Sequence, residues 1–329
     1  MDSIFPDLGA ASSQMSDEER ARVLEGLRAL QLSLERPHDT LQRHLEIADA
    51  RIGEEHNLYK LLAGSEEPLT TAALAEKRAL HPCCILRYLS SVKHITETDV
   101  DTFTANEVTK TLAQPGYRSG VYHFFNNVGP VMQALPDFLA ETKYANIESG
   151  SKTAFQKAFN TTMAAPMWLS FKPEFNNVFH DYLSLHSAGM VPWFKAFPLE
   201  QELGNSSAEL YKAALVDVSG DFGENLIEHQ TMPPLHIQPT ANQGREILEH
   251  LRDALAEGSE ILIDDMVFPD KGVPMEASAY DLMMMAGLGL RERREAEWKA
   301  LLDRVGLKVK EIYVYSPCRR DVIVQVVRK

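Results

Sequence analysis

The sequence has few cysteines and no long apolar run, and these absences exclude several classes of protein. The three cysteines are Cys83, Cys84 and Cys318. Neighbouring cysteines do not easily bridge each other, and there is no C-x-x-C pair to suggest a metal site. The first residues lack the basic start and apolar core of a signal peptide, and no stretch reaches the roughly 18 apolar residues of a membrane helix. We therefore expect a protein of the reducing cytoplasm, with no bound metal.

Basic residues are also scarce. The chain has 33 Lys and Arg against 47 Asp and Glu, so its formal net charge is -14. Such a charge repels phosphate backbones and anionic lipid surfaces, and we expect neither nucleic acid nor membrane as a partner. The 44% of hydrophobic residues is ordinary for a folded protein, and 329 residues allow two domains.

The N-terminal pattern is helical. Ser16 and Glu19 have the spacing of a capping box, and the residues that follow carry Val23, Leu27, Leu30 and Leu34 at helical intervals. A second helical stretch is predicted over 41–62, with an interruption near Gly53. Residues 68–103 then predict a short helix, a turn, a longer helix and a hairpin, which is a winged-helix order. Its second helix is mostly apolar, so a packing or dimerisation module is favoured over a DNA reader.

Residues 120–200 predict a helical connector that is rich in aromatic residues. One predicted helical face carries Phe175, Phe179, Tyr182 and Leu183. Such a stripe is more often core than binding pocket. His180 and His186 do not share a helical face well, so they are not interpreted as metal ligands.

The C-terminal third alternates strands and helices. Apolar strands are predicted at 215–218 and 260–264, a helix at 295–305, and two final strands at 308–315 and 321–327. Strands that alternate with helices predict a mostly parallel sheet.

Six segments of the chain together resemble the fungal S-adenosylmethionine (SAM)-dependent O-methyltransferases of secondary metabolism. They are PLTTAALAEKRALHPCCILRYLSS, PGYRSGVYHFFNNVGPVMQALPDFLAETKY, MVPWFKAFPLEQELG, LVDVSGDFG, GSEILIDDMVFPD and DLMMMAGLGLRERREAEWKALLDRVGLKVKEIYVY. The resemblance implies an α/β fold, with a helical winged-helix dimerisation domain over 1–115. A helical connector and a Rossmann-like methyltransferase domain follow over 116–329. It also implies a homodimer that binds a small aromatic, polyketide or alkaloid intermediate.

The cofactor turn departs from the family pattern G-G-G-x-G. On this resemblance Asp217, Gly220 and Gly223 belong to the SAM site, but Ser219 and Asp221 stand at two glycine positions. Side chains there obstruct the close approach of the backbone to the cofactor, unless the turn adapts. We therefore expect a vestigial SAM site, or none.

The methyltransferase domain is also short. Only about 40 residues separate the two strands at 215–218 and 260–264, room for one strand-helix-strand unit of roughly 30 residues. We therefore expect fewer strands than the family's seven, with these two strands side by side.

The acid that binds the ribose in the family is replaced by Thr231 if EHQTMPPL is the remnant of its motif. The His-Asp-Trp motif of the catalytic base is missing as well, and His229, His236 and His250 are weak substitutes.

The residues that remain favour binding without methyl transfer. Asp265 and Glu292 match the two acidic positions that flank the family's histidine, and they are the catalytic candidates. Glu292 is equally explained as a surface ion-pair partner of a neighbouring arginine. The substrate-pocket candidates are Phe179, Leu183, Trp193 and Met284.

Three functions fit these residues. The first is a pathway protein that guides a cyclisation or isomerisation, the second an active O-methyltransferase with a rearranged site, and the third a regulatory or scaffolding pseudoenzyme. A misassigned exon would produce the same gap in the sequence.

Overall fold

The computed structural model describes residues 15–34, 46–78, 83–147, 149–186, 193, 197–198, 244–255, 259–316 and 319–329. The chain divides into two compact units. The helical unit consists of 28–145 and 151–188, and the sheet unit consists of 1–27, 146–150 and 189–329. The predicted strand at 215–218 lies outside the described residues, and so do Asp217, Gly220 and Gly223.

The first helix, α1, spans Asp17–Leu34. The predicted capping box is confirmed, because the backbone N–H of Glu19 donates to Ser16 Oγ at 3.3 Å and the backbone N–H of Ser16 donates to the Glu19 carboxylate at 2.9 Å. Most of the described side chains of α1 are exposed, including Leu24 and Leu30.

The helical unit starts with a pair of helices that break at a different residue from the one predicted. Helix α2 spans Glu46–Glu55 and α3 spans Leu58–Ala63. The chain turns at Asn57, which has a φ of 50°, whereas Gly53 lies inside α2. Gly53 serves packing instead, since a Cβ there would lie 3.0 Å from the buried ring of Tyr59.

The predicted winged-helix order is confirmed. Its elements are β1 at Leu69–Thr70, α4 at Thr71–Arg78, α5 at Cys83–Ser91, β2 at Thr96–Asp99 and β3 at Thr102–Thr104. The three strands are antiparallel in the order β1-β3-β2. Their core is wholly apolar apart from one phenol, and its members are Leu58, Tyr59, Leu62, Leu74, Leu86, Leu89, Ile95 and Phe103. The apolar second helix is thus used for packing.

The connector is helical, as predicted. Its elements are α6 at Glu107–Leu112, α7 at Pro115–Tyr122, a π-helix at His123–Val128, α8 at Gly129–Glu141, α9 at Ala154–Phe159, α10 at Ala165–Ser170 and α11 at Pro173–His186. Pro115 occupies the first turn of α7, where its missing N–H costs no hydrogen bond. The π-helix runs directly from α7 into α8.

The sheet unit contains α12 at Gly244–Ala254, β4 at Ile261–Phe268, α13 at Met275–Leu288, β5 at Arg293–Arg294, α14 at Glu295–Arg304, β6 at Leu307–Ser316 and β7 at Asp321–Arg328. Among the described residues its sheet has four strands in the order β5-β4-β7-β6. Strand β7 is central, and residues 321–326 are all buried. The core packs the sheet against α12 and α14 through Leu248, Val267, Trp298, Leu302, Val305, Leu307, Val322, Val324 and Val326.

The described part of this sheet is mainly antiparallel, so the prediction of a mostly parallel sheet was wrong for these strands. Strand β7 pairs antiparallel with both β4 and β6, and only the short β5 runs parallel to β4. The cause is the short link between β6 and β7, because a parallel pair needs a crossover of a dozen or more residues. The overall class, an α/β domain preceded by a helical winged-helix domain, is as predicted.

Candidate functional site

Asp265 and Glu292, the two predicted catalytic carboxylates, lie side by side in the sheet unit. Asp265 is in β4, and Glu292 immediately precedes β5. The parallel pairing of Val267 with Arg293 brings the two acids together. Their side chains share a hydrogen bond, and both are partly buried. The alternative interpretation of Glu292 as a surface ion-pair partner is therefore not supported.

The environment of this pair favours one retained proton. Burial, followed by the charges of Asp265 and Asp281, raises the pKa of Glu292 to about 8 against the opposing effect of Arg293. Burial also raises the pKa of Asp265, but this carboxylate accepts a 2.8 Å hydrogen bond from the backbone N–H of Met266 and lies near Arg293. Near neutral pH, Glu292 thus carries the proton and Asp265 the negative charge.

Neighbouring residues fix the position of Glu292. Its backbone N–H donates to Asp281 Oδ1 at 2.7 Å, which ties the residue to α13. The guanidinium of Arg293 lies 5.2 Å from the ring centroid of Trp298. Sequence reasoning missed Asp281 and Arg293, although Arg293 is adjacent to a predicted site residue.

The four predicted pocket residues are divided between the two units. In the sheet unit, Met284 is half-buried in α13, and Trp193 contacts Phe197, which in turn meets Tyr313 edge to face at 5.3 Å. In the helical unit, Phe179 and Leu183 are half-buried on α11.

The aromatic stripe of α11 separates into two clusters. Phe175 packs with Trp168 and Phe159, which is a core arrangement. Phe179 and Tyr182 surround a histidine instead, since their ring centroids lie 5.3 and 5.1 Å from that of His123. Burial lowers the pKa of His123 to about 4, so the ring is neutral at physiological pH.

Sequence reasoning missed His123. The available signal was a histidine inside the aromatic run VYHFFNN, with an asparagine four residues later. Of the histidines considered as replacements for the missing base, His250 is exposed on α12. His229 and His236 lie outside the described residues.

In the part of the chain that the structure describes, no group of three or more His, Cys, Asp or Glu side chains is arranged to hold a metal ion. None of the helices in the described ranges combines the length and apolar character that crossing a membrane requires.

Sequence comparisons identify relatives over nearly the whole chain. The sequence model of the O-methyltransferase domain matches residues 238–308. O-methyltransferase lepI of Aspergillus flavus is 33% identical over 358 aligned positions, which cover 90% of this chain and 91% of that protein. Demethylsterigmatocystin 6-O-methyltransferase of Aspergillus flavus is 27% identical over 383 positions, which cover 100% of this chain and 98% of that protein. Since the chain has 329 residues, at least 54 of those 383 positions have no counterpart in it.

Comparisons with solved structures also find similar proteins over most of the chain. A structure described as a pericyclic reaction enzyme superimposes with a TM-score of 0.89 at 30% identity, covering 99% of this chain and 98% of that one. LepI in complex with SAM gives the same TM-score and coverage at 31% identity. OxaC in complex with SAH and oxaline has a TM-score of 0.74 at 17% identity, over 88% of this chain and 87% of that one, and shares the fold.

Proposed function

The chain belongs to the fungal O-methyltransferase family of secondary metabolism, and from that premise we propose that it guides a cyclisation or isomerisation without transferring a methyl group. Its ligand is a small, flat pathway intermediate of aromatic, polyketide or alkaloid origin. The observation that carries the proposal is the parallel pairing of β4 with β5, which brings Asp265 and Glu292 together at a place where burial raises the pKa of both carboxyls. The similarity to a pericyclic reaction enzyme supports the same reaction class.

Methyl transfer to a hydroxyl needs a base that takes up the hydroxyl proton. A carboxyl that is already protonated is a hydrogen-bond donor, and it suits a substrate that presents a neutral acceptor oxygen. In this role Glu292 donates to the acceptor, while the negative charge of Asp265 favours the protonated form of Glu292. A pericyclic rearrangement exchanges no atom or electron with its surroundings. Orientation and polarisation of the ligand by fixed groups are therefore enough to accelerate it.

We propose that the SAM site is vestigial. In the sequence, Ser219 and Asp221 stand at two glycine positions of the family's cofactor turn. In the alignment with the demethylsterigmatocystin 6-O-methyltransferase, at least 54 positions have no counterpart in this chain. Because Asp217, Gly220 and Gly223 lie outside the described residues, the proposal rests on the sequence. Related structures contain SAM or SAH, so SAM is the cofactor that any residual site would take.

The remaining expectations belong to the same proposal. We propose a cytoplasmic homodimer with a dimerisation domain over 1–115 and a connector and methyltransferase-like domain over 116–329. Phe179, Leu183, Trp193 and Met284 are proposed from the sequence as substrate-pocket residues.

The decisive experiment is deletion of the gene in the organism that carries it, followed by mass spectrometry of the accumulated metabolite. An isomer of the final product, with the same mass, is expected. A compound lighter by one CH2 group would contradict the proposal and indicate an active methyltransferase. An unchanged metabolite profile would favour the regulatory alternative. A complementing copy with Glu292→Gln tests the site, and Glu276→Gln on the exposed surface of α13 is the matched control.

A further inference from the structure

Strand β4 presents two consecutive carboxyl groups to opposite faces of the sheet, because successive side chains of a strand alternate between the faces. Asp265 pairs in register with Val322 of the core and shares a hydrogen bond with Glu292. Asp264 pairs with Ile323 and lies on the other face. The proposed function makes no use of Asp264.

A tyrosine reaches Asp264 from across the central strand. Tyr315 lies in β6, and its hydroxyl donates to Asp264 Oδ1 at 2.7 Å although β7 lies between the two strands. In the described part of the chain, the second oxygen, Oδ2, has neither a hydrogen bond nor an ion pair. The hydroxyl therefore holds the carboxyl in place and leaves one of its oxygens available.

A second chain of hydrogen bonds across β7 is neutralised by a lysine. Tyr313 donates to Gln325 at 3.2 Å, and Gln325 Nε2 donates to Glu260 at 2.5 Å. Lys310 Nζ lies 2.8 Å from the carboxylate of Glu260. Asp264, four residues further along β4, has its tyrosine but no basic partner within the described ranges.

A buried acid close to Asp264 adds to the negative charge. Asp321 is 6% exposed, and its Oδ2 accepts no hydrogen bond from the described residues. Arg319 Nε lies 3.4 Å from this oxygen, which is an ion pair longer than a good hydrogen bond, and its guanidinium lies 5.0 Å from the ring centroid of Tyr280. Arg319 thus pairs with Asp321, and the negative charge of Asp264 is left without a contacting cation.

Asp264 is both surrounded by protein and open to solvent. Burial is the largest cause that raises the pKa of Asp264 to about 6, and the charges of Asp321 and Asp265 also raise it. The hydrogen bond from Tyr315 and the charge of Arg319 oppose them. The side chain is nevertheless exposed, so its carboxyl lines a recess. At physiological pH it is mostly ionised there.

We propose that Asp264 and Tyr315 form a subsite for a protonated amine, so that the ligand is an alkaloid intermediate with a basic nitrogen. The ammonium N–H would donate to Asp264 Oδ2 in a charge-assisted hydrogen bond. The ring of Tyr315 adds an aromatic surface, which attracts organic cations. The flat scaffold of the ligand rests on the proposed function, whereas the amine is required by this subsite alone.

The first test compares tetrahydroisoquinoline, which is protonated near neutral pH, with isochroman, in which a neutral oxygen replaces the nitrogen. NMR titration of the full chain should show the amine binding about tenfold more weakly to Asp264→Asn, because a hydrogen bond to a charged group is lost. Isochroman affinity should change by less than about twofold. Equal losses for both compounds, or no amine binding to the wild type, overturn the proposal.

Asp270→Asn is the matched control. It removes the same formal charge at an exposed position just after β4, and it should change amine affinity by less than about twofold. A loss as large as in Asp264→Asn would show that only the net charge matters and would overturn the subsite. Asn at position 264 keeps an acceptor for the Tyr315 hydroxyl, so the cross-strand hydrogen bond is retained in the test variant.

The second test needs only the wild-type fold. A carboxyl 13C titration with labelled aspartate, in which Asp264 is assigned by its loss in Asp264→Asn, follows the ionisation of this group. Saturating tetrahydroisoquinoline should lower the pKa of Asp264 by about 1, because a bound cation favours the carboxylate, and isochroman should not lower it. An Asp264 transition that the amine leaves unchanged overturns the proposal.

The final arm uses SAM, which is also an organic cation. If SAM displaces the amine from the wild type, Asp264 belongs to a cofactor site and the proposal is overturned. A methylated product would contradict the proposed function and leave the selectivity for the amine intact. Loss of that selectivity would leave a rearrangement of a neutral intermediate possible, so the two failures are distinguishable.

Discussion

The parallel pairing of β5 with the end of β4 brings Glu292 next to Asp265, and a hydrogen bond joins the two side chains. The two residues are separated by α13 in the chain. Two adjacent buried acids cannot both ionise near neutral pH without a large electrostatic cost. Because this pair of carboxyl groups retains a proton, Glu292 can donate a hydrogen bond.

The retained proton makes the stability of the protein depend on pH. The pKa of Glu292 is raised from 4.5 to about 8 in the folded state, so the folded protein binds this proton more tightly than the unfolded chain. The free energy of unfolding therefore decreases as pH rises from about 4.5 to about 8, and it is flat above that range. Between pH 6 and 8.5 the decrease should be about 1 to 3 kcal/mol.

Urea unfolding of wild type and Glu292→Gln at several pH values measures this slope. In the variant, most of the pH dependence of the free energy of unfolding should be absent. At pH 8.5 the variant should be more stable than the wild type. Identical pH profiles for the two proteins would show that Glu292 titrates normally. Glu276→Gln provides the baseline for a surface glutamate on α13.

Asp265→Asn should lower the pKa of Glu292. After burial, the charge of Asp265 is the largest cause that raises this pKa. Removal of a neighbouring like charge is worth about 1 unit or more. A carboxyl 13C titration of labelled glutamate should show the Glu292 transition at lower pH. Asp270→Asn, an exposed change just after β4, should leave the transition in place, and a shift of equal size in both variants would contradict this assignment.

Gly53→Ala should destabilise the helical unit. The new methyl group would lie 3.0 Å from the Tyr59 ring, which is fully buried and joined to His94 Nδ1 by a 3.2 Å hydrogen bond. Overpacking of this kind costs about 1 to 3 kcal/mol, which exceeds the gain of up to about 1 kcal/mol from replacing a helical glycine. Gly26→Ala in α1 is the matched control, because a Cβ there meets nothing within 4 Å and should be neutral or stabilising. Thermal unfolding of both variants compares them, and a stabilised Gly53→Ala would refute the packing role.

SAM should bind with a dissociation constant weaker than about 1 mM, which corresponds to less than roughly 4 kcal/mol. The substitutions at Ser219 and Asp221, the expected loss of the ribose-binding acid and the expected loss of strands should each cost about 1 to 3 kcal/mol. Calorimetry of the purified protein with SAM measures the affinity. A micromolar value accompanied by a methylated product would restore the ordinary methyltransferase function.

Light scattering should give a mass about twice 36.9 kDa at micromolar concentration. The expectation comes from the family resemblance and from the apolar winged-helix domain. A monomer mass would exclude the proposed dimer.

The sequence by itself determined the elements of the fold that rest on local signals. The capping box at Ser16, the order of the winged-helix elements and the final strands follow from spacing, apolar periodicity and turn residues, and all were predictable. The family was also evident, since six segments occur in the family's order. Asp265 and Glu292 were found through that resemblance.

Tertiary structure decided the features that depend on residues distant in the chain. No local pattern shows that Gly53 accommodates Tyr59, or that β7 lies between β4 and β6 and makes the described sheet mainly antiparallel. The proton held by Glu292 and the neutral ring of His123 likewise depend on burial and on neighbours from other elements. A pKa is set by the three-dimensional surroundings of a group, and sequence identifies the group without its surroundings.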